Sequence, residues 1–374
     1  MTVRSVGVEE ELLLVEPGTG RPLAVAESAL GTAGKHEQQE SGAEEQAEAG
    51  EGSLEYELQR QQLETNSKVC YELSELDAEV RRGRAAAAEA AAGAGARIAA
   101  LATSPEPVEP ELTRKGRYLR MARAFGLTAH EQLTCGCHVH VSIESPHEGI
   151  AVLDRIRPWL PVLLALSGNS PFWQGQDSSY ASFRYQAWSR WPSAGPTDVF
   201  GSAEEYNETI RQMVATGTLL DAGMVYFDAR LSDHYPTLEV RVADVCLYAD
   251  DAVLIAALTR GLVETEARAW QAGSVVPDHR LEMLRLASWR ASRSGLEDTL
   301  LSPLTSLPEP AAAVANALFD HVRDALDETG DTAAVRGLLD ALLDRGNGAT
   351  FQRDTWREKG LGHMINAAAE LTAK

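Results

Sequence analysis

The chain has 374 residues, 44% of them hydrophobic and 24% charged, which is a globular balance with ample length for a buried core. Its net charge of −21 repels nucleic-acid phosphates and anionic lipid, so neither is expected as the main partner. Apolar runs stay well short of the roughly 20 residues a membrane span requires, and four cysteines are too few for a disulfide framework.

Residues 3–15 (VRSVGVEEELLLV) read as a strand. The start runs straight into Glu9-Glu10-Glu11, which predicts no secretory signal and hence a cytoplasmic protein. Residues 17–22 (PGTGRP) are turn chemistry, and residues 35–52 are acidic, Gln-rich and too polar to order themselves, so a surface loop is expected. Residues 54–66 begin with strand-like alternation. From Leu73 to Ala102 the Ala-rich stretch predicts one long helix, stopped by Ser104-Pro105-Glu106-Pro107.

Residues 132–143 (QLTCGCHVHVSI) form a second strand, and residues 150–168 a helix interrupted near Pro158 and Pro161. An aromatic-rich loop over 169–201 carries Trp173, Trp188 and Trp191; a loop of that length is more often functional than idle. Residues 203–217 read as helix and 222–246 as strands ending in TLEVRVADV. From about residue 250 the chain is mostly helical, with linkers at 302–310 and 346–349. Strands first and helices last predict an α+β architecture.

Side chains two apart on a strand share a face. That rule puts Glu9 with Glu11, His138 with His140 and Ser142, and Glu239 with Arg241 and Thr237, each set opposite an apolar face. Carboxylates with a few imidazoles suit Mg²⁺ or Mn²⁺ better than zinc. A zinc site built from Cys135, Cys137, His138 and His140 is disfavoured, because a regular strand sends the two Cys and the two His to opposite sides. Glu57 and Glu64 are seven apart, which puts them on opposite faces of a regular strand; joining them at one site calls for a helical turn or a bulge.

Taken together, GVEEE, ELQRQQLET, CGCHVHVSI, NSPFWQG…SYASFRYQAWSRWPSAGP and PTLEVRVADV, in this order, resemble the glutamate–cysteine ligase 2 family, the carboxylate–amine ligases of the YbdK type. The resemblance runs from about residue 5 to about residue 355. It implies a fold similar to glutamine synthetase, a curved antiparallel sheet forming a funnel with helices outside, in a single catalytic domain over 1–374. It also implies ATP- and Mg²⁺-dependent joining of a carboxylate to an amine, by default glutamate and cysteine. Self-association is left open.

Position by position, the resemblance makes Glu9, Glu11, Glu57, Glu64, His138 and Glu239 metal ligands. Arg241 becomes the cation facing the transferred phosphoryl group, and Arg184 an anion binder. His140 reads as a neighbour or substrate contact, Glu10 as a structural or solvent-facing residue, and Gln352 and Arg353 as a segment closing over nucleotide. His130, His147, His234, His279 and His321 read as surface residues. The chain departs from the family pattern at Ser178-Ser179, where a Thr-Gly pair is common, and at Cys137, where a larger apolar residue is. A metal-binding protein without catalysis, or a metal-dependent amide hydrolase, would use the same acids. No G-x-x-x-x-G-K-[ST] loop is present, so phosphate binding would have to be dominated by metal.

Overall fold

The computed structural model describes residues 3–31 and 52–374; the expected acidic loop, all but its last residue, lies outside them. A seven-stranded antiparallel sheet organises the molecule. Its strands are β1 (Val6–Val15), β2 (Leu54–Tyr56), β3 (Gln62–Asn66), β4 (Arg97–Ala99), β5 (Gly136–Ser142), β6 (Ala229–Leu231) and β7 (Thr237–Asp244). Their order is β2-β3-β1-β5-β7-β6, with β4 paired to the far end of β1. Helices pack on the sheet and dominate the chain from Ala249 onward, an α+β, glutamine synthetase-like arrangement.

Alternation decides which face is covered. Val6 and Val8 of β1, Val139 and Val141 of β5, and Leu238 and Val240 of β7 join one apolar cluster with helix Leu73–Gly93, helix Pro146–Ile156 and helix Ala249–Gln271. Each such side chain contributes about 1.5–3 kcal/mol on burial. The same cluster takes in Leu318, Leu326 and Leu342, so the C-terminal helices share the sheet's core.

The Ala-rich helix ends at Gly93, nine residues before Ala102. Gly95 then takes φ +74°, a left-handed conformation that breaks the helical path, and Arg97–Ala99 becomes β4 instead of more helix. Its N-terminus is closed by a reciprocal pair, Glu72 and Glu75. Small residues on its inner face (Ala87, Ala90, Ala91) are buried, and Gly83 lets Thr65 of β3 approach. The helix also carries Arg84, 2% exposed, which binds Glu10 through Nη2–Oε1 (2.6 Å) and Nε–Oε2 (2.9 Å) and donates to the carbonyls of Cys246 and Leu247. Glu10 is therefore a buried structural anion, not a solvent-facing one.

The β5–β7 ladder is bulged: Cys137 pairs with Ala243 but Val139 with Val240, so β7 holds one extra residue. Within the expected aromatic loop, a small hairpin (Phe172–Trp173 with Gln176–Asp177) and helix Phe183–Trp188 add local order. Gln352 and Arg353 are spent on this segment, Gln352 on Asn169 and Arg353 on Asp177 and the Tyr180 carbonyl. Their polar groups hold this segment to the fold. His321 is half-buried and has partners: it stacks on Trp159 (4.6 Å) and its Nε2 lies 2.8 Å from Glu266. Among the described residues no helix is long and apolar enough to cross a membrane.

Candidate active site

The face of β1 opposite the core presents Glu9 and Glu11. Glu9 pairs across the sheet with His138 of β5 and Asn66 of β3, and Glu11 with Glu64 of β3. His140 pairs with Glu239 of β7. The separation of Glu57 from Glu64 is resolved by neither a helical turn nor a bulge. The chain reverses over 58–61, so that β2 and β3 run antiparallel with Glu55 opposite Glu64. Glu57, two residues beyond Glu55, then falls on the same face as Glu64.

Two groups of donors result. One oxygen each from Glu11, Glu57 and Glu64 lie within 4.8 Å of one another, and so do ligand atoms of Glu9, His140 and Glu239. His138 bridges the groups, with Nδ1 3.2 Å from Glu9 Oε2 and Nε2 3.9 Å from Glu11 Oε1. His140 is thus a member of a trio rather than an onlooker, its Nε2 3.1 Å from Glu9 and its Nδ1 2.9 Å from Thr237 Oγ1. Arg241 pairs with one oxygen of Glu239, and Arg230 holds the other at 2.7 Å. Arg184 is buried beside them: its guanidinium reaches the carbonyls of Arg241 and Val242 and lies 3.9 Å from Asp244. Gly136 makes room for it, since a Cβ there would collide with Arg184 Nη2.

The two groups differ electrostatically. Burial and the nearby Glu57 charge push Glu11 up to about 7, and burial with a hydrogen bond to Glu57 pushes Glu64 well above the usual carboxylate range. Burial would also raise Glu9, but hydrogen bonds from His138 and His140 hold it well below. Glu239 is brought down to about 2, because the Arg241 and Arg230 charges overcome its burial. Burial and Arg241 lower His138 to about 4, whereas Glu9 raises His140 against its burial. One group is therefore internally neutralised. The other is a carboxylate cluster whose charge Arg184 and Arg241 offset only in part, and an oxygen-only donor set of that kind fits a hard divalent cation.

Glu9 and Glu64 stand between two cavities and line both. The smaller, about 170 Å³, is walled by the acids, Gln132, Arg117, Trp188, Trp191, Tyr226 and Arg241. The larger, about 640 Å³, opens past His140, Tyr235 and Thr237. Buried polar atoms without a partner gather at the smaller one: Gln132 Oε1, Trp191 Nε1 and Arg241 Nε, with Arg184 Nε close behind. Such orphans are costly unless a ligand satisfies them. The aromatic loop therefore does contribute walls. Gln132, Arg117, Arg230 and Tyr226 carry no signal in the sequence, because a lone polar residue has no periodicity to betray it.

With this sheet, its paired acidic groups and its facing arginines in place, it is the match to a family of known kind that makes the chain a ligase of the carboxylate–amine class. The chain belongs to glutamate–cysteine ligase family 2, whose model matches residues 5–365, and is a ligase of the glutamate–cysteine ligase type. A Streptomyces avermitilis protein named "Putative glutamate--cysteine ligase 2-1" is 52% identical over 358 residues, 96% of each chain. A Streptomyces coelicolor protein named "Putative glutamate--cysteine ligase 2" is 51% identical over 366 residues, 98% of each chain. Among solved structures, glutamate–cysteine ligase from Francisella tularensis, in complex with AMP, superposes with a TM-score of 0.69 at 13% identity, covering 100% of this chain and 89% of that one. A bifunctional glutathione synthetase from Pasteurella multocida gives 0.68 at 13% identity, over 100% of this chain and 52% of the other. At such identities the likeness is one of fold.

Proposed function

We propose that this ligase joins the carboxylate of glutamate to an amine, by default that of cysteine, using ATP with Mg²⁺ or Mn²⁺. The observation that carries the reading is the position of the two donor groups, side by side at the wall shared by two cavities. Nucleotide would occupy the larger, and the carboxylate and amine the smaller, so that the phosphoryl group crosses between them. Glu11, Glu57 and Glu64 would hold one cation, and Glu9, His140 and Glu239 another, with His138 bridging. Bound there, the cations supply charge neutralisation, letting an anionic carboxylate approach the anionic triphosphate.

The chain's own groups do the rest. Arg241, its Nε unpartnered, would face the charge that spreads over the transferring oxygens, and Arg184 would support it from beneath. A carboxylate oxygen attacks the γ-phosphorus and ADP leaves. The free amine then attacks the acyl carbon of the acyl phosphate and inorganic phosphate departs, giving an amide. The aromatic walls of the smaller cavity would exclude water, which would otherwise hydrolyse the acyl phosphate.

The test is ADP release in the presence of Mg²⁺, ATP, glutamate and a panel of amines. Release that requires both glutamate and an amine, highest with cysteine, is expected. Amide cleavage without nucleotide, or glutamate-independent ADP release, would overturn the proposal.

A further inference from the structure

A third cavity, of about 400 Å³, shares no lining residue with the two at the acidic groups. Its walls include Arg157, Asp198, Asp278, His279, Arg280 and Glu282. Arg157 follows helix Pro146–Ile156 and is only 2% exposed. Its Nε donates to the Asp154 carbonyl (2.9 Å) and its Nη1 to the Thr197 carbonyl (3.1 Å), while Nη2 has no partner. The carboxylate nearest in sequence, Asp154, is committed to the amides of Phe200 (2.9 Å) and Gly201 (2.8 Å). Asp154, Asp198 and Asp278 supply counter-charge nearby, but the Nη2 donor itself is left unmet, which is costly for a buried polar group unless a ligand accepts from it.

The 14-residue helix Leu281–Ser294 begins at the same cavity, and its N-cap, Arg280, offers no side-chain bond to the first amides. The Met283 amide is met by the Arg280 carbonyl and the Glu282 amide by its own carboxylate, so the Leu281 amide and the positive end of the helix are what favour an anion. Arg280 is paired with Glu282 (3.3 Å), so the charges left over are Arg157 and the exposed Asp198 and Asp278. A bare phosphate on Arg157 would meet two carboxylates, and a simple amine on the carboxylates would leave Arg157 unpaired. A zwitterion satisfies both.

We infer that this cavity binds a free α-amino acid, with its carboxylate on Arg157 and the start of helix Leu281–Ser294 and its ammonium on Asp198 and Asp278. Glycine carries only those two groups and is the minimal probe. The site stands or falls independently of the ligase reading, since it uses none of the same residues.

The experiment is calorimetric titration of the full chain with glycine, and separately with acetate, methylamine and inorganic phosphate. Glycine is expected to bind more tightly than any of the three fragments. Arg157→Met and Asp278→Asn are each expected to weaken glycine binding at least tenfold. Asp278 is exposed, so that variant keeps the test decisive if Arg157→Met does not fold. Glycine binding unchanged in the variants, absent at millimolar concentration, or surpassed by phosphate would overturn the assignment.

Discussion

Glu64 stands directly across from Glu11 in the ladder between β1 and β3, so the sheet sets two carboxylates face to face. Like charges opposite one another are destabilising, and burial sharpens the penalty. Glu57 adds a third.

A cation would relieve this repulsion, so metal removal should be visible in stability. Mg²⁺ at a hundred times its dissociation constant is expected to add about 2.7 kcal/mol, read as a rise in melting temperature over chelator-treated protein. Glu64→Gln should melt higher than wild type without metal and lose most of the Mg²⁺-induced rise. An undiminished rise in that variant would remove Glu64 from the cation site.

The Glu10–Arg84 pair makes a separate claim about the core. Glu10→Ala leaves Arg84 buried without its partner, at an expected cost of about 3–5 kcal/mol in denaturant unfolding. Glu10→Leu combined with Arg84→Met should recover much of that loss. A cost below about 1 kcal/mol for the single change would contradict the buried-charge argument.

Asp228 predicts a pH dependence. It accepts a hydrogen bond from the Tyr185 hydroxyl (3.0 Å), and burial pushes its carboxyl up to about 7. The folded value thus lies above the unfolded one of about 3.9, and between them the native state holds the proton more tightly. Stability should therefore fall as pH rises from about 4 to about 7 and level off above. Asp228→Asn should flatten that slope, gaining on the order of 2–4 kcal/mol over wild type between pH 4 and pH 8. Urea unfolding of both proteins across this range is the check, and parallel profiles would refute it.

Ser179 has φ +65°, in the left-handed region that costs an L-residue about 1–2 kcal/mol. Ser179→Gly should stabilise by about 0.5 kcal/mol net, after the added freedom of the unfolded chain is counted. Thermal melting measures it, and a lower melting temperature would count against the strain.

Gln132 tests the smaller cavity. If its unpartnered Oε1 meets substrate, Gln132→Leu should cut kcat/KM about tenfold or more while leaving the melting temperature equal or higher. Unchanged kcat/KM would make the orphan acceptor irrelevant to catalysis.

Strand parity made much of the site legible from sequence. The facing of Glu9 with Glu11, of His138 with His140, and of Glu239 with Arg241 followed from the two-residue repeat alone. Glu57 was not legible by that rule, because a reversal over 58–61 resets the parity and nothing in LQRQ announces a turn. Composition carries the helix on to Ala102 because alanine favours helix in isolation, whereas β1 offers Arg97–Ala99 a ladder to join. The place of His140 depended on which strand lies beside β5, and Arg230 reaches Glu239 only because β6 flanks β7. Partners across a sheet are a matter of topology, and local pattern is blind to them.

Strand β1 bonds to β3, β4 and β5, with Glu9 and Glu11 on one side and Val8, Glu10 and Leu12 on the other. Losing a single residue ahead of Glu9 would slide the downstream segment by one step and exchange the two sets wholesale, turning Glu10 and Leu12 toward the acidic groups and Glu9 and Glu11 into the oily interior. Descendants of this gene can swap letters along that stretch far more safely than they can change its spacing.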